Sequence, residues 1–105
     1  MEQTGTPPVD ESTASHLPPP PGRITGECRT PSGKPLAGLR INVFSTDGIV
    51  VDTQVTGANG RFATRLLYAG PYRVEARAPQ RGLAVTRECR VQLGEITRVD
   101  FTLDL

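Results

Sequence analysis

Tyr72-Arg73-Val74-Glu75-Ala76-Arg77-Ala78 sets Tyr72, Val74, Ala76 and Ala78 in one phase and Arg73, Glu75 and Arg77 in the other. Strict period-two alternation marks a strand with one face buried and one face in water. The same pattern recurs on both sides of this segment. Ile24, Gly26 and Cys28 alternate with Thr25, Glu27 and Arg29, and Leu39, Ile41 and Val43 alternate with Arg40 and Asn42. Ile49, Val51, Thr53 and Val55 mark a third strand, and Phe62, Thr64 and Leu66 a fourth. Beyond the quoted segment, which is the fifth, Val85, Cys89, Val91 and Leu93 share a phase in a sixth strand over residues 83–93. Arg87 interrupts that phase, as expected of a bulge or a sheet edge. Val99, Phe101 and Leu103 face inward in the last strand, with Arg98, Asp100 and Thr102 outward. No stretch of the chain sustains a helical period.

Turn chemistry fills the gaps. Pro31-Ser32-Gly33, Asp47-Gly48, Asn59-Gly60, Gly70-Pro71 and Gly94 are the residues that reverse a chain tightly. Gly33 and Gly60 are expected at positive φ, and Pro35 at a strand boundary where a lost donor costs little. Seven short strands punctuated this regularly predict an antiparallel, Greek-key-like β-sandwich over residues 23–105.

Residues 1–22 differ in composition. They hold six of the ten prolines, the acids Glu2, Asp10 and Glu11, and no Lys or Arg. Too little apolar surface is present to offset the entropy of ordering, so a disordered Pro-rich leader or linker is predicted. Pro18-Pro19-Pro20-Pro21 favours a polyproline II spacer. No basic stretch precedes an apolar run, so nothing here reads as a secretory signal.

The 105 residues carry a net charge of +1, which gives no argument for nucleic acid. No run approaches the roughly 18 apolar residues that a membrane span requires, so no membrane insertion is expected. All twelve basic residues follow residue 22, and all but Lys34 are Arg. The only histidine is His16, in the leader, so Ser32 and Ser45 have no candidate base and hydrolysis of the acyl-transfer kind is not expected. Asp47, Asp52 and Asn59 are too dispersed to make a calcium loop, and two cysteines without histidines make a poor zinc site. No cofactor or metal is expected. Cys28 and Cys89 both fall on inward phases. A disulfide between them would close a loop of roughly 60 residues and stabilise by about 4 kcal/mol; two separate buried thiols fit the same placement.

Several of these segments, taken in order, resemble the carboxypeptidase regulatory-like domain, a relative of Cna B-type and transthyretin-like sandwiches. The first strand Ile24-Thr25-Gly26-Glu27-Cys28 leads into Gly33-Lys34-Pro35-Leu36-Ala37-Gly38, which is similar to the family's turn. Thr56-Gly57-Ala58-Asn59-Gly60-Arg61-Phe62 resembles its T-D-x-x-G-x-F hairpin, with Gly57 in place of the usual acid. Leu67-Tyr68-Ala69-Gly70-Pro71-Tyr72 resembles its L-x-x-G-x-Y approach to the fifth strand. These motifs are structural: Tyr72, for instance, buries its ring and is expected to give its hydroxyl to the backbone near one end of the sandwich.

The resemblance implies a non-catalytic module, extracytoplasmic, that supports or positions a partner protein or neighbouring domain. The related 5-hydroxyisourate hydrolases depend on histidines and a Tyr-Arg-Gly-Ser motif, neither of which this domain carries. The internal Lys–Asn cross-link of some Cna B-type domains is not expected either, since the first strand has no Lys and the last no Asn. The alternative is a carbohydrate-binding module of starch-binding-like type, for which Phe44, Tyr68 and Tyr72 are the candidate aromatics. For a protein partner the candidates are Phe44, Arg73 and Arg77 on the strands, with Asp47, Asn59, Tyr68 and Arg81 in the loops. The turns at Asp47-Gly48, Ala58-Asn59-Gly60 and Pro79-Gln80-Arg81-Gly82 are expected to cluster at one end of the sandwich.

Overall fold

The computed structural model describes residues 21–105, so the expected leader lies almost wholly outside the described residues. Eight strands form in chain order: β1 (Arg23–Arg29), β2 (Arg40–Phe44), β3 (Val50–Val55), β4 (Arg61–Ala63), β5 (Gly70–Ala78), β6 (Leu83–Val91), β7 (Ile96–Arg98) and β8 (Phe101–Thr102). A 3-10 turn, Pro79–Arg81, links β5 to β6. One sheet runs β4-β1-β7, with β8 also on β1; the other runs β3-β2-β5-β6. The expected β-sandwich is what the chain builds.

The core follows the alternation. Ile24 and Cys28 of β1, Phe62 of β4, and Val99, Phe101 and Leu103 meet Leu39, Ile41, Val43, Val74, Ala76, Ala78 and Val91. Phe62 and Phe101 pack as a tilted pair, centroids 6.3 Å apart. Turn geometry also follows the residues. Gly33 and Gly60 both have positive φ. At Gly60 a side chain is excluded twice over, because a Cβ there would sit 2.6 Å from the Cys28 carbonyl oxygen.

The last strand differs from expectation in two ways. It runs parallel to β1, with Ile24 opposite Thr97 and Cys28 opposite Phe101, so the sandwich is not wholly antiparallel. It is also split into β7 and β8. The cause is Asp100, whose Oδ1 accepts the Glu27 N–H at 3.0 Å. A side-chain carboxylate thus takes the place of a backbone acceptor, and the ladder is interrupted for one step.

Three further expectations change. In β3 the inward phase is Asp52 and Gln54, opposite Val43 and Ile41, while Ile49 and Val55 are exposed. β3 is an edge strand, and its inner side is a polar rim: Asp52 accepts from the Gln54 side chain and from the Arg65 N–H at 2.9 Å. After Thr64 the chain shifts phase, so Leu67 is buried and Leu66 exposed. Leu93 is exposed because it lies in the β6–β7 turn. Arg87 is explained by an edge: β6 borders its sheet, its register with β5 is unbroken, and Arg87 donates to the Asp100 carbonyl at 2.8 Å. Cys28 is buried in one sheet, Cys89 half-buried in the other, and both are free thiols.

Candidate protein-interaction face

The two outer faces of the sandwich use charge differently. On the β4-β1-β7 face, Glu27 accepts from Arg29 (3.2 Å), Arg61 (2.7 Å) and Arg98 (2.9 Å), and Arg98 also reaches Asp100 (3.0 Å). The Arg29 and Arg61 guanidinium hydrogen bonds hold the Glu27 carboxyl at about 2, against an ordinary 4.5. This cluster is closed: every guanidinium in it has a carboxylate.

The β3-β2-β5-β6 face is open. Its outward residues stand in cross-strand rows. Asn42 lies between Thr53 and Glu75, and accepts from the Thr53 hydroxyl (3.0 Å) while donating to Glu75 (3.1 Å). Glu75 also takes Arg77 at 3.0 Å, and that hydrogen bond, followed by the one from Asn42, lowers its pKa. In the next row Arg40 stands directly opposite Arg77. In the row on the other side Arg73 lies over the Phe44 ring, 5.2 Å from its centroid, with Glu88 opposite. Arg90 completes the set opposite Pro71. Four arginines therefore share this face with two glutamates. Like charges directly opposite destabilise a sheet by a few tenths of a kcal/mol, and among the described residues the Arg40–Arg77 pair has only Glu75 to offset it. Guanidinium over an aromatic face is worth about 0.5–1 kcal/mol at an exposed site, which holds Arg73 in place and half-covers Phe44.

A cavity of about 430 Å³ borders this face, lined by Ser45, Thr46, Tyr72, Arg73, Glu88 and Cys89 among others. Ser45 Oγ is buried there without a hydrogen-bond partner among the described residues. The Cys89 thiol is pushed up by burial, and Cys28 is pushed to about 11 by burial and then by the Asp100 charge, so neither is a ready nucleophile. Tyr72 donates its hydroxyl to the Tyr68 carbonyl at 2.7 Å, the backbone role expected of it.

Of the candidate residues, the structure brings Phe44, Arg73 and Arg77 together on the open face. The other four divide between the two ends. Because β2 and β3 are antiparallel, with Arg40 opposite Val55 and Phe44 opposite Val50, the turn holding Asp47 lies at one end and the turn holding Asn59 at the other. Arg81 follows β5 at the Asn59 end, since Arg77 pairs with Arg40. The three turns therefore do not cluster. Asn59 has a folding role, its Oδ1 accepting the Arg61 N–H at 3.0 Å. Tyr68 is exposed near the Asp47 end. Sequence reading did not single out Arg40, whose importance depends on which strands become neighbours.

Comparison with known proteins agrees with this architecture. No curated protein is a significant match. Among solved structures, the Klebsiella pneumoniae 5-hydroxyisourate hydrolase is similar at a TM-score of 0.64 and 22% identity, over 78% of this chain and 89% of that one. The minor pilin GBS52 of Streptococcus agalactiae is similar at a TM-score of 0.68 and 13% identity, over 93% of this chain and 49% of that one. The T6 backbone pilin of serotype M6 Streptococcus pyogenes gives 0.59 and 24%, over 65% and 15%. The chain thus spans half or less of either pilin, and at these identities the likeness is one of fold. Residues 23–104 match the family described as Carboxypeptidase regulatory-like domain, and the chain belongs to that family.

Proposed function

We propose that this domain is a non-catalytic structural or protein-interaction module that positions a partner protein or neighbouring domain through the β3-β2-β5-β6 face. The observation that carries the reading is the surplus of arginine there, with Arg40 set against Arg77 and Arg73 fixed over Phe44. An acidic protein surface would relieve that opposition, and Arg and aromatic residues are the types that dominate binding energy at interfaces. Two of the similar structures are pilins, one described as modular with three domains, which supports a building role for the fold. On the side of chemistry, the buried Ser45 hydroxyl has no imidazole beside it among the described residues, and the thiols are held protonated by burial.

The test is partner capture with the intact chain and with the Arg40→Glu/Arg77→Glu variant, both exposed positions whose change leaves the core intact. A protein retained by the first, lost by the second and indifferent to added sugar supports the reading. A glycan-array signal that disappears on Phe44→Ala or Tyr68→Ala would instead favour the carbohydrate-binding alternative and overturn it.

A further inference from the structure

The cavity of about 430 Å³ that borders the arginine face lies where β2 has ended. Phe44 is the last β2 residue paired with β5, opposite Arg73, while β5 and β6 run on together as far as Gly70 and Val91. The chain turns away through Ser45, whose carbonyl accepts the Gly48 N–H at 2.9 Å. A recess is left beside Pro71 and Tyr72, walled by Ser45 and Thr46 on the turn side and by Glu88 and Arg90 on the β6 side. Arg73 and Arg90 both line it and both are exposed. Among the described residues neither has a carboxylate partner, in contrast to Arg29, Arg61, Arg77 and Arg98. The Ser45 hydroxyl is also unpartnered among those residues.

On the reading of the arginine face as the interaction surface, on which this rests, we propose that the recess receives a side-chain carboxylate from an acidic segment of the partner protein, held by Arg73 and Arg90. Charge selects this occupant. Two arginines against Glu88 leave one positive charge in the recess, which one carboxylate balances. A phosphate ester, at nearly two negative charges, would overshoot it and stand against Glu88. Geometry agrees, because a guanidinium fork matches the two oxygens of a carboxylate. Rotation about its one side-chain bond lets the Ser45 hydroxyl add a further donor. The recess is also larger than an ion requires and falls in the size range of ligand pockets, so the stem of the acidic residue enters with its carboxylate, against Pro71 and Tyr72. A side chain is called for, and not a chain terminus, because the same face needs a second negative charge. Arg77, opposite Arg40, lies four residues along β5 from Arg73, roughly 14 Å at about 3.4 Å per residue. Acidic residues four apart in an extended segment reach both places. Two copies of this chain set face to face would instead oppose their surplus of arginine.

The probe is a pentapeptide with blocked ends, glutamate at its first and last positions and threonine, valine and threonine between, titrated into the 15N-labelled full chain. The Ser45, Thr46 and Arg90 amides and the Arg73 and Arg90 Nε–H signals are expected to shift and to saturate in the millimolar range. Arg90→Gln and Arg73→Gln/Arg90→Gln, at exposed positions, should keep the amide dispersion and weaken binding about tenfold or more. A peptide with glutamine for both glutamates should leave the signals unmoved. Equal shifts with that peptide would overturn the proposal, as would shifts confined to Arg40 and Arg77. A stronger response to inorganic phosphate, or to the glutamine peptide with a free C-terminal carboxylate, would replace the occupant. So would a dimer by sedimentation that Arg90→Gln dissociates. In partner capture, a protein lost by Arg40→Glu/Arg77→Glu yet retained by Arg73→Gln/Arg90→Gln would remove the recess and leave the interaction face standing, whereas retention by both variants would remove the face itself.

Discussion

At Gly26 an added Cβ would lie 1.7 Å from the Val99 carbonyl oxygen and 2.8 Å from the Phe62 ring. The oxygen belongs to backbone bound to β1, because Val99 donates its N–H to Thr25, so it cannot yield without parting the strands. Gly26→Ala is expected to cost about 3 kcal/mol, read as a lower urea midpoint. The adjacent residue gives a pH dependence. Glu27 has a folded pKa of about 2 against an ordinary 4.5, so its contribution is complete above 4.5 and is lost as pH falls toward 2. Glu27→Gln is expected to flatten the decline of the urea midpoint across that interval. The inward phase of Gly26 is legible in the alternation with Ile24 and Cys28. The need for glycine is not, because the obstructing carbonyl arrives from residues more than seventy positions later and only the topology brings it there.

Strand β5 was legible in full, since its neighbours on both sides bury one face along most of its length. Strand β3 was legible in place and not in phase. An edge strand has a sheet partner on one side only, and beyond its inner residues there is little opposite layer, so Asp52 and Gln54 can face inward and Val55 outward. Inward polar groups at an edge also discourage pairing with other chains. The shift between Leu66 and Leu67 has a comparable origin. Thr64 Oγ1 accepts the Ile24 N–H at 3.0 Å and donates to the Arg65 carbonyl at 2.8 Å, which ends the regular ladder of β4. Thr64→Val keeps the shape but leaves the buried Ile24 donor unpaired. It is expected to destabilise by about 1–3 kcal/mol, measured by thermal or urea unfolding followed in the far ultraviolet. The candidate site divides in the same manner: Phe44, Arg73 and Arg77 were legible as outward residues, whereas their grouping with Arg40 depends on β2 lying beside β5.

For the whole molecule, the parallel pairing of β1 with β7 and β8 sets Gly22 and Leu105 at opposite ends, with the first and last strands side by side between them. Tension applied across those two residues acts along the strands. The Val99–Thr25 and Leu103–Arg29 hydrogen bonds and the ladders around them are then loaded in shear and must fail together. Handles attached at residues 22 and 93, which share one end, would instead peel strands apart one bond at a time. Single-molecule pulling is expected to require a markedly higher force in the first geometry, where the unfolding barrier governs rupture. A fold laid out this way is expected to resist pulling along its strands and to yield when torn from one end.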